Sequence, residues 1–135
     1  MSGFFVDIIL MKTVITILAV CTLFLNLNAS AQTSKQMVRL AKITVYPAQL
    51  ASYNAALKKQ MTTAVATEPG VLTYYAVADK TDASHITILE IYADEAAYKK
   101  HIETPHFKEY KATVQNMVKS LELVDVDLIA AAKKP

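Results

Sequence analysis

Apolar and polar residues alternate with a period of two in four segments of the chain. These segments are 38–46, 71–78, 85–92 and 121–129. Side chains of a β-strand point alternately to its two faces, so this period is typical of strands. In the third segment Ile88, Glu90 and Tyr92 share one face, while Leu89 lies on the other. The alternation therefore predicts four strands whose two faces differ in character.

A period of three to four residues, which is typical of amphipathic helices, separates these segments. The longest such region, 48–66, carries its apolar residues on one face: Leu50, Tyr53, Leu57, Met61, Ala64 and Val65. A second region is divided. Asp94 is a suitable N-cap for 95–102, and Thr104-Pro105 is a suitable start for 106–118. The order β-α-β-β-α-β predicts an α+β fold of the ferredoxin-like, split βαβ type, an antiparallel sheet with its helices on one face.

The face of the sheet away from the helices is too apolar to be left in water. We assign Leu40, Tyr74 and Ile88 to this open face. A second copy packed against it would remove these side chains from solvent. A domain of about 100 residues has a thin core and gains from such burial. The sequence therefore predicts a homodimer.

The residues before this domain have the order of a secretion signal. Lys12 supplies a basic start, an apolar run follows from Val14 to Leu25, and Ala29 and Ala31 fit a small-x-small cleavage site. The ten residues before Met11 include an acidic residue and no basic one, so we expect translation to begin at Met11.

Cleavage of the leader 1–31 after Ala31 would leave three segments. These are a flexible tail at 32–37, the domain at 38–129 and a C-terminal tail at 130–135. The protein would then be exported, to the periplasm or out of the cell, with no stable membrane anchor. Two alternatives remain: the leader is retained as an anchor, or a lipid is attached at Cys21.

Outside the leader the chain lacks residue types that common sites require. It has no cysteine, which excludes disulfides, a thiol nucleophile and a cysteine metal site. Its single glycine, Gly70, argues against the phosphate-binding loop of a nucleotide or flavin site. Basic and acidic residues are nearly balanced and interspersed, so we expect no nucleic-acid surface. No metal site is predicted either, because Asp125 and Asp127 are assigned to an exposed edge.

Two stretches of sequence point to a family. One is Glu68-Pro69-Gly70-Val71-Leu72-Thr73-Tyr74, and the other runs from Glu90 to His101 and continues through Thr104-Pro105-His106-Phe107. At this spacing they resemble the antibiotic biosynthesis monooxygenase family, in particular its small quinol monooxygenases. The resemblance implies a dimeric α+β barrel that oxidises a small aromatic quinol or phenol with O₂. It implies no cofactor, neither metal nor flavin.

The resemblance also implies candidate catalytic residues. His101 and His106 stand at histidine positions of the motif, and Glu90 stands at its strand glutamate. An imidazole titrates near neutrality, so His101 could accept a phenolic proton. The alternative for His101 is a core histidine bonded to a backbone carbonyl or to Glu90. His85, beside a polar loop, is expected to face solvent.

Aromatic and apolar residues are the candidates for binding the substrate. They are Tyr74, Ile88, Tyr92, Phe107 and Tyr110. Tyr92 stands where many members of the family carry tryptophan. This departure leaves open a non-catalytic member that only binds a hydrophobic ligand. The haem-binding and haem-degrading relatives that the resemblance brings in use an asparagine on the first strand and a tryptophan near Tyr92. This chain has no asparagine in 38–46 and no tryptophan, so a haem protein is disfavoured.

Overall fold

The computed structural model describes residues 35–134, so the proposed leader and its cleavage site lie outside the described residues. Within this range the chain forms four strands and three helices. They are β1 (Met37–Val45), α1 (Leu50–Thr67), β2 (Val71–Ala78), β3 (His85–Tyr92), α2 (Glu95–His101), α3 (Pro105–Val114) and β4 (Val118–Val126), with a short 3₁₀ turn, Pro47–Gln49, before α1. Among these helices none combines the length and apolar character that a membrane span requires.

The strands form one antiparallel sheet in the order β2-β3-β1-β4. This order and the divided second helix confirm the predicted ferredoxin-like α+β fold. Residues directly opposite one another in an antiparallel pair share a face. Ala41 of β1 lies opposite Ile88 of β3 and Leu123 of β4, on the face that the helices cover.

The core lies between this face and the helices. The buried side chains of the sheet are Ala41, Ile43, Val45, Ile86 and Ile88, and they pack against Tyr53, Leu57 and Val114 of the helices. The assignment of Ile88 and Tyr74 to the open face is therefore wrong. Leu40 lies opposite Leu89 rather than Ile88, so the parity of β3 relative to β1 places Ile88 in the core.

The open face carries a different apolar row, which crosses all four strands. Tyr75 lies opposite Leu89, Leu89 opposite Leu40, and Leu40 opposite Val124. Tyr75 is half exposed, and the other three side chains are partly exposed. The open face is therefore apolar, as predicted, through these residues.

The last helix ends earlier than predicted, at Val114 rather than 118, and β4 begins at Val118 rather than 121. Met117 accepts a hydrogen bond from the backbone N–H of Tyr46 at 2.9 Å, and Val118 pairs with Val45. Apolar residues at 114, 117 and 118 fit a helical period, but Val118 pairs with β1 and belongs to the strand, while Met117 lies in the turn before it.

Two caps determine the break between α2 and α3. The carboxylate of Asp94 accepts the backbone N–H of Ala97 at 2.7 Å, and the hydroxyl of Thr104 accepts that of Phe107 at 3.4 Å. Each satisfies a backbone donor that a helix start leaves free. The break brings His101, at the end of α2, close to His106, in the first turn of α3, with ring centroids 6.2 Å apart.

Close packing fixes the start of β2 against α2. A Cβ atom at Gly70 would lie 2.5 Å from the Cβ of Ala97, so no side chain fits there. The carbonyl of Gly70 also accepts the backbone N–H of Ala93 at 2.9 Å. Glu68, two residues before Gly70, is thereby held beside the end of α2.

Candidate active site

A cavity of about 100 Å³ lies between the helices and the sheet. The five predicted substrate-binding residues all line it: Tyr74, Ile88, Tyr92, Phe107 and Tyr110. Its polar groups include the carboxylate of Glu90, the guanidinium of Arg39 and the amide of Gln60. On the β4 side the lining residues Leu121 and Leu123 are about half exposed, so the cavity is least covered there.

A continuous hydrogen-bonded chain starts at Glu90, follows the cavity wall and ends at residues that do not line the cavity. Glu90 accepts the hydroxyl of Tyr92 at 2.9 Å, the hydroxyls of Tyr92 and Tyr74 are 2.7 Å apart, and Tyr74 lies 2.8 Å from Nε2 of His101. Nδ1 of His101 lies 2.8 Å from Oε1 of Glu68. The hydrogen-bonded chain thus links β3 to β2 and β2 to the end of α2. It ends at Glu68, the residue that follows α1.

The number of hydrogens in this hydrogen-bonded chain determines whether it can transfer a proton. Three hydrogen bonds separate Glu90 from Nε2 of His101, and the two tyrosines supply only two hydrogens. The third must come from Glu90 when it is protonated or from His101 when Nε2 is protonated. A concerted shift of the three hydrogens therefore moves one proton between Glu90 and His101 without moving a heavy atom.

Burial tunes both ends of the chain. It raises the pKa of Glu90, opposed by the hydroxyl of Tyr92 and by the positive charges of Arg39 and Lys111. It lowers the pKa of His101, opposed by the hydrogen bond and the charge of Glu68. Burial also raises the pKa of Tyr74, of Tyr92 and of Tyr110, so their hydroxyls stay protonated.

Neither predicted catalytic histidine lines the cavity. His101 is completely buried, its hydrogen bond toward the cavity is to Tyr74, and the hydrogen-bonded path from there to Glu90 passes through Tyr92. The predicted alternative partners of His101, a backbone carbonyl or Glu90, are replaced by Glu68 and Tyr74. His106 is about one quarter exposed, and its Nε2 lies 2.7 Å from the same oxygen of Glu68.

Glu68 is the residue that sequence reasoning missed. It belongs to a motif that marked the family, yet 33 residues separate it from His101 and no periodicity connects them. Together with His101 and His106 it forms the group of side chains, within residues 35–134, whose chemistry could hold a metal ion. At 2.7 and 2.8 Å, N–H groups donating to one carboxylate oxygen account for the observed separations.

The remaining polar candidates lie outside the cavity or at its edge. His85 is exposed, as expected, and pairs with Asp82 at 3.1 Å. Asp125 is exposed and pairs with Nε of Arg39 at 2.7 Å, while the guanidinium of Arg39 lies 4.4 Å from the ring centroid of Tyr98. These contacts orient Arg39 along the cavity wall.

A second tyrosine pair joins α1 to α3. The hydroxyls of Tyr53 and Tyr110 are 2.9 Å apart, and Tyr53 is fully buried. This pair makes no hydrogen bond to the chain from Glu90 to His101, and Tyr53 does not line the cavity.

The family model that matches this chain and the solved structures that resemble it agree with each other. The model of the antibiotic biosynthesis monooxygenase family matches residues 37–113, more than half of the chain. A structure from Bacteroides thetaiotaomicron assigned to the antibiotic biosynthesis monooxygenases is 51% identical, with a TM-score of 0.71, over 75% of this chain and 96% of that one. A search of curated proteins gave no significant match.

Two further structures are similar over most of the domain. A protein of Lactobacillus acidophilus assigned as a monooxygenase is 34% identical, with a TM-score of 0.64, over 67% of this chain and 45% of that one. One of Caulobacter crescentus, assigned to the antibiotic biosynthesis monooxygenases, is 25% identical, with a TM-score of 0.68, over 73% of this chain and 93% of that one.

Proposed function

Because the chain belongs to the antibiotic biosynthesis monooxygenase family, we propose that it oxidises a small phenol or quinol with O₂ in the cavity beside Glu90. The observation that carries this proposal is a carboxylate of raised pKa on the wall of a largely apolar cavity. A base whose pKa is raised toward the working pH is well matched to accepting a phenolic proton. Glu90 takes this role in place of His101.

The enclosed volume of the cavity is smaller than that of a cavity known to hold benzene, so it favours a substrate with a single aromatic ring that extends toward the open side. An apolar cavity of about 150 Å³ is enough to bind benzene. The cavity here is about 100 Å³, and its β4 side is open enough for a substituent to extend outward. A porphyrin is far larger, so haem binding is not proposed. Phe107 and Tyr110 would pack against the ring, as aromatic side chains do.

The reaction begins when Glu90 removes a phenolic proton. The resulting anion passes one electron to O₂, and the two radicals combine at a ring carbon that carries hydrogen. One oxygen atom stays on that carbon and the other leaves as water, so a quinol and O₂ give a hydroxyquinone and water. The apolar walls limit the contact of bulk water with the anion and the radicals.

The hydrogen-bonded chain gives the proton a route away from the substrate. A shift along Tyr92 and Tyr74 first carries the hydrogen of protonated Glu90 to Nε2 of His101, which leaves Glu90 ionised to accept the phenolic proton. The net transfer is then from the substrate to His101. The carboxylate of Glu68, 2.8 Å from Nδ1, stabilises the imidazolium that forms. His106 borders the same carboxylate and is partly exposed, which places it at the outer end of the route.

The test is O₂ consumption by the purified protein with a panel of single-ring quinols. Glu90→Gln keeps the size of the side chain but cannot accept the proton, so we expect kcat/KM to fall about 10²- to 10⁴-fold. Glu122→Gln is the matched control, because Glu122 is an exposed carboxylate on β4. If the wild type binds quinols but consumes no O₂, the non-catalytic ligand-binding alternative replaces this proposal.

We also propose that the protein is exported and dimeric. The support for export is the order of a basic, an apolar and a small-residue segment before residue 32, which is typical of a secretion signal. The support for a homodimer is the apolar row of Tyr75, Leu89, Leu40 and Val124 on the open face. A second copy packed against this row would bury it.

A further inference from the structure

One polar side chain in the core lacks a hydrogen-bond partner. Gln60, on α1, is only 5% exposed, and neither its amide nitrogen nor its amide oxygen is bonded to another group of residues 35–134. All other buried side-chain nitrogen and oxygen atoms in this range have partners. An unsatisfied buried amide destabilises a fold, and a methionine of the same length would avoid that cost.

Gln60 lies where its amide can contact a substrate. Gln60 lines the same cavity as Glu90. It belongs to the helical layer and Glu90 to the sheet, so the two groups line the cavity from opposite layers. A ring held between the layers can therefore present one polar substituent to each.

We infer that Gln60 binds a second oxygen substituent of a single-ring substrate and thereby favours quinols over phenols. This inference rests on the proposed function and narrows it. A carboxamide offers one acceptor and two donors. It can accept a hydrogen bond from a quinol hydroxyl and donate one to the carbonyl that replaces it after oxidation. Gln60 is thus a specificity-determining residue that fits both substrate and product.

The experiment compares hydroquinone with phenol, which has the same ring and one hydroxyl fewer. Binding is measured by calorimetry in the absence of O₂, so it does not depend on turnover. We expect the wild type to bind hydroquinone more tightly than phenol by roughly 3- to 10-fold, the worth of one hydrogen bond. In Gln60→Met this preference should disappear while the affinity for phenol is retained.

The ligand-free stability supplies a second readout. Because the amide is unsatisfied, Gln60→Met and Gln60→Leu should both melt at a higher temperature than the wild type. Gln115→Met, which changes an exposed glutamine, should alter neither melting nor preference. A lower melting temperature in both Gln60 variants would assign the amide a structural role and overturn the inference.

Other outcomes separate this inference from the proposed function. Retention of the preference for hydroquinone in Gln60→Met, or failure of the wild type to bind either compound, would overturn the inference. A preference that depends on Gln60 without any O₂ consumption would uphold it and refute the oxygenase.

Discussion

Replacing Tyr74 by phenylalanine tests the hydrogen-bonded chain most directly, because it removes one oxygen atom and keeps the ring. The hydroxyl of Tyr74 makes two hydrogen bonds, to Tyr92 at 2.7 Å and to His101 at 2.8 Å. Each is worth about 0.5–1.5 kcal/mol of net stability, so Tyr74→Phe should lower the free energy of unfolding by about 1–3 kcal/mol. Tyr53→Phe is the matched control, since it removes one tyrosine–tyrosine bond and should cost about half as much.

The two variants should differ far more in activity than in stability. Tyr74→Phe separates Glu90 and Tyr92 from His101, so Glu90 can no longer become ionised by passing its hydrogen to His101. We expect kcat to fall roughly 10²-fold, the lower end for a positioned acid–base group, because Glu90 itself remains. KM should change little, since the apolar walls are intact. Tyr53→Phe should keep the wild-type kcat.

Urea unfolding and O₂ consumption, measured on the same preparations, provide the comparison. Wild-type kcat in a Tyr74→Phe protein of reduced stability would refute proton transfer along the hydrogen-bonded chain. The hydrogen bonds would then have a purely structural role. An equal loss of kcat in both tyrosine variants would attribute the effect to general loosening of the core.

Four other measurements follow from features described above. Burial lowers the pKa of His101 below its ordinary 6.5, so the neutral imidazole contributes stability above about pH 6.5, and this contribution is lost as the pH falls through the folded-state pKa. In urea titrations between about pH 7 and 5, the wild type should therefore lose stability more steeply than His101→Gln. Parallel curves for the two proteins would contradict this. The groups facing His101 are Glu68, His106 and the tyrosines of the chain. Gly70→Ala should lower the free energy of unfolding by about 1–3 kcal/mol, because the added Cβ clashes with Ala97. Adding Ala97→Gly to this variant should restore most of the loss in urea unfolding. If it does not, the clash is not with Ala97. Light scattering of the processed protein should give twice the monomer mass, and a monomer would require another cover for the open face. Mass spectrometry of protein from the native host should find a chain beginning at Gln32, whereas an intact N-terminus would favour a retained leader.

The fold was predictable because local patterns and capping residues agree with one another. Strand alternation, Asp94 and Thr104-Pro105 gave the element order correctly. The parity of neighbouring strands was not predictable in the same way. Whether Ile88 or Leu89 faces the helices depends on register across the sheet, which the alternation within one strand does not contain.

The candidate site was predictable as a set of residues but not as a network. The motif supplied Glu90, Tyr92 and His101, but a direct bond between Glu90 and His101, one of the predicted alternatives, does not form because two tyrosines lie between them. The partnership of His101 with Glu68 is a long-range contact between a turn and a helix end. The unsatisfied state of Gln60 is likewise a property of packing, for its neighbours in sequence are ordinary helical residues.

The tyrosines around the cavity also make the protein its own optical reporter. The chain has seven tyrosines and no tryptophan, and four of the seven, Tyr74, Tyr92, Tyr98 and Tyr110, line the cavity. Intrinsic ultraviolet emission therefore comes from phenol rings alone, and most of these rings would touch a bound aromatic molecule. A quinol or quinone entering the cavity should quench this emission directly. Occupancy could thus be followed in unlabelled protein, without a dye and without an introduced fluorophore.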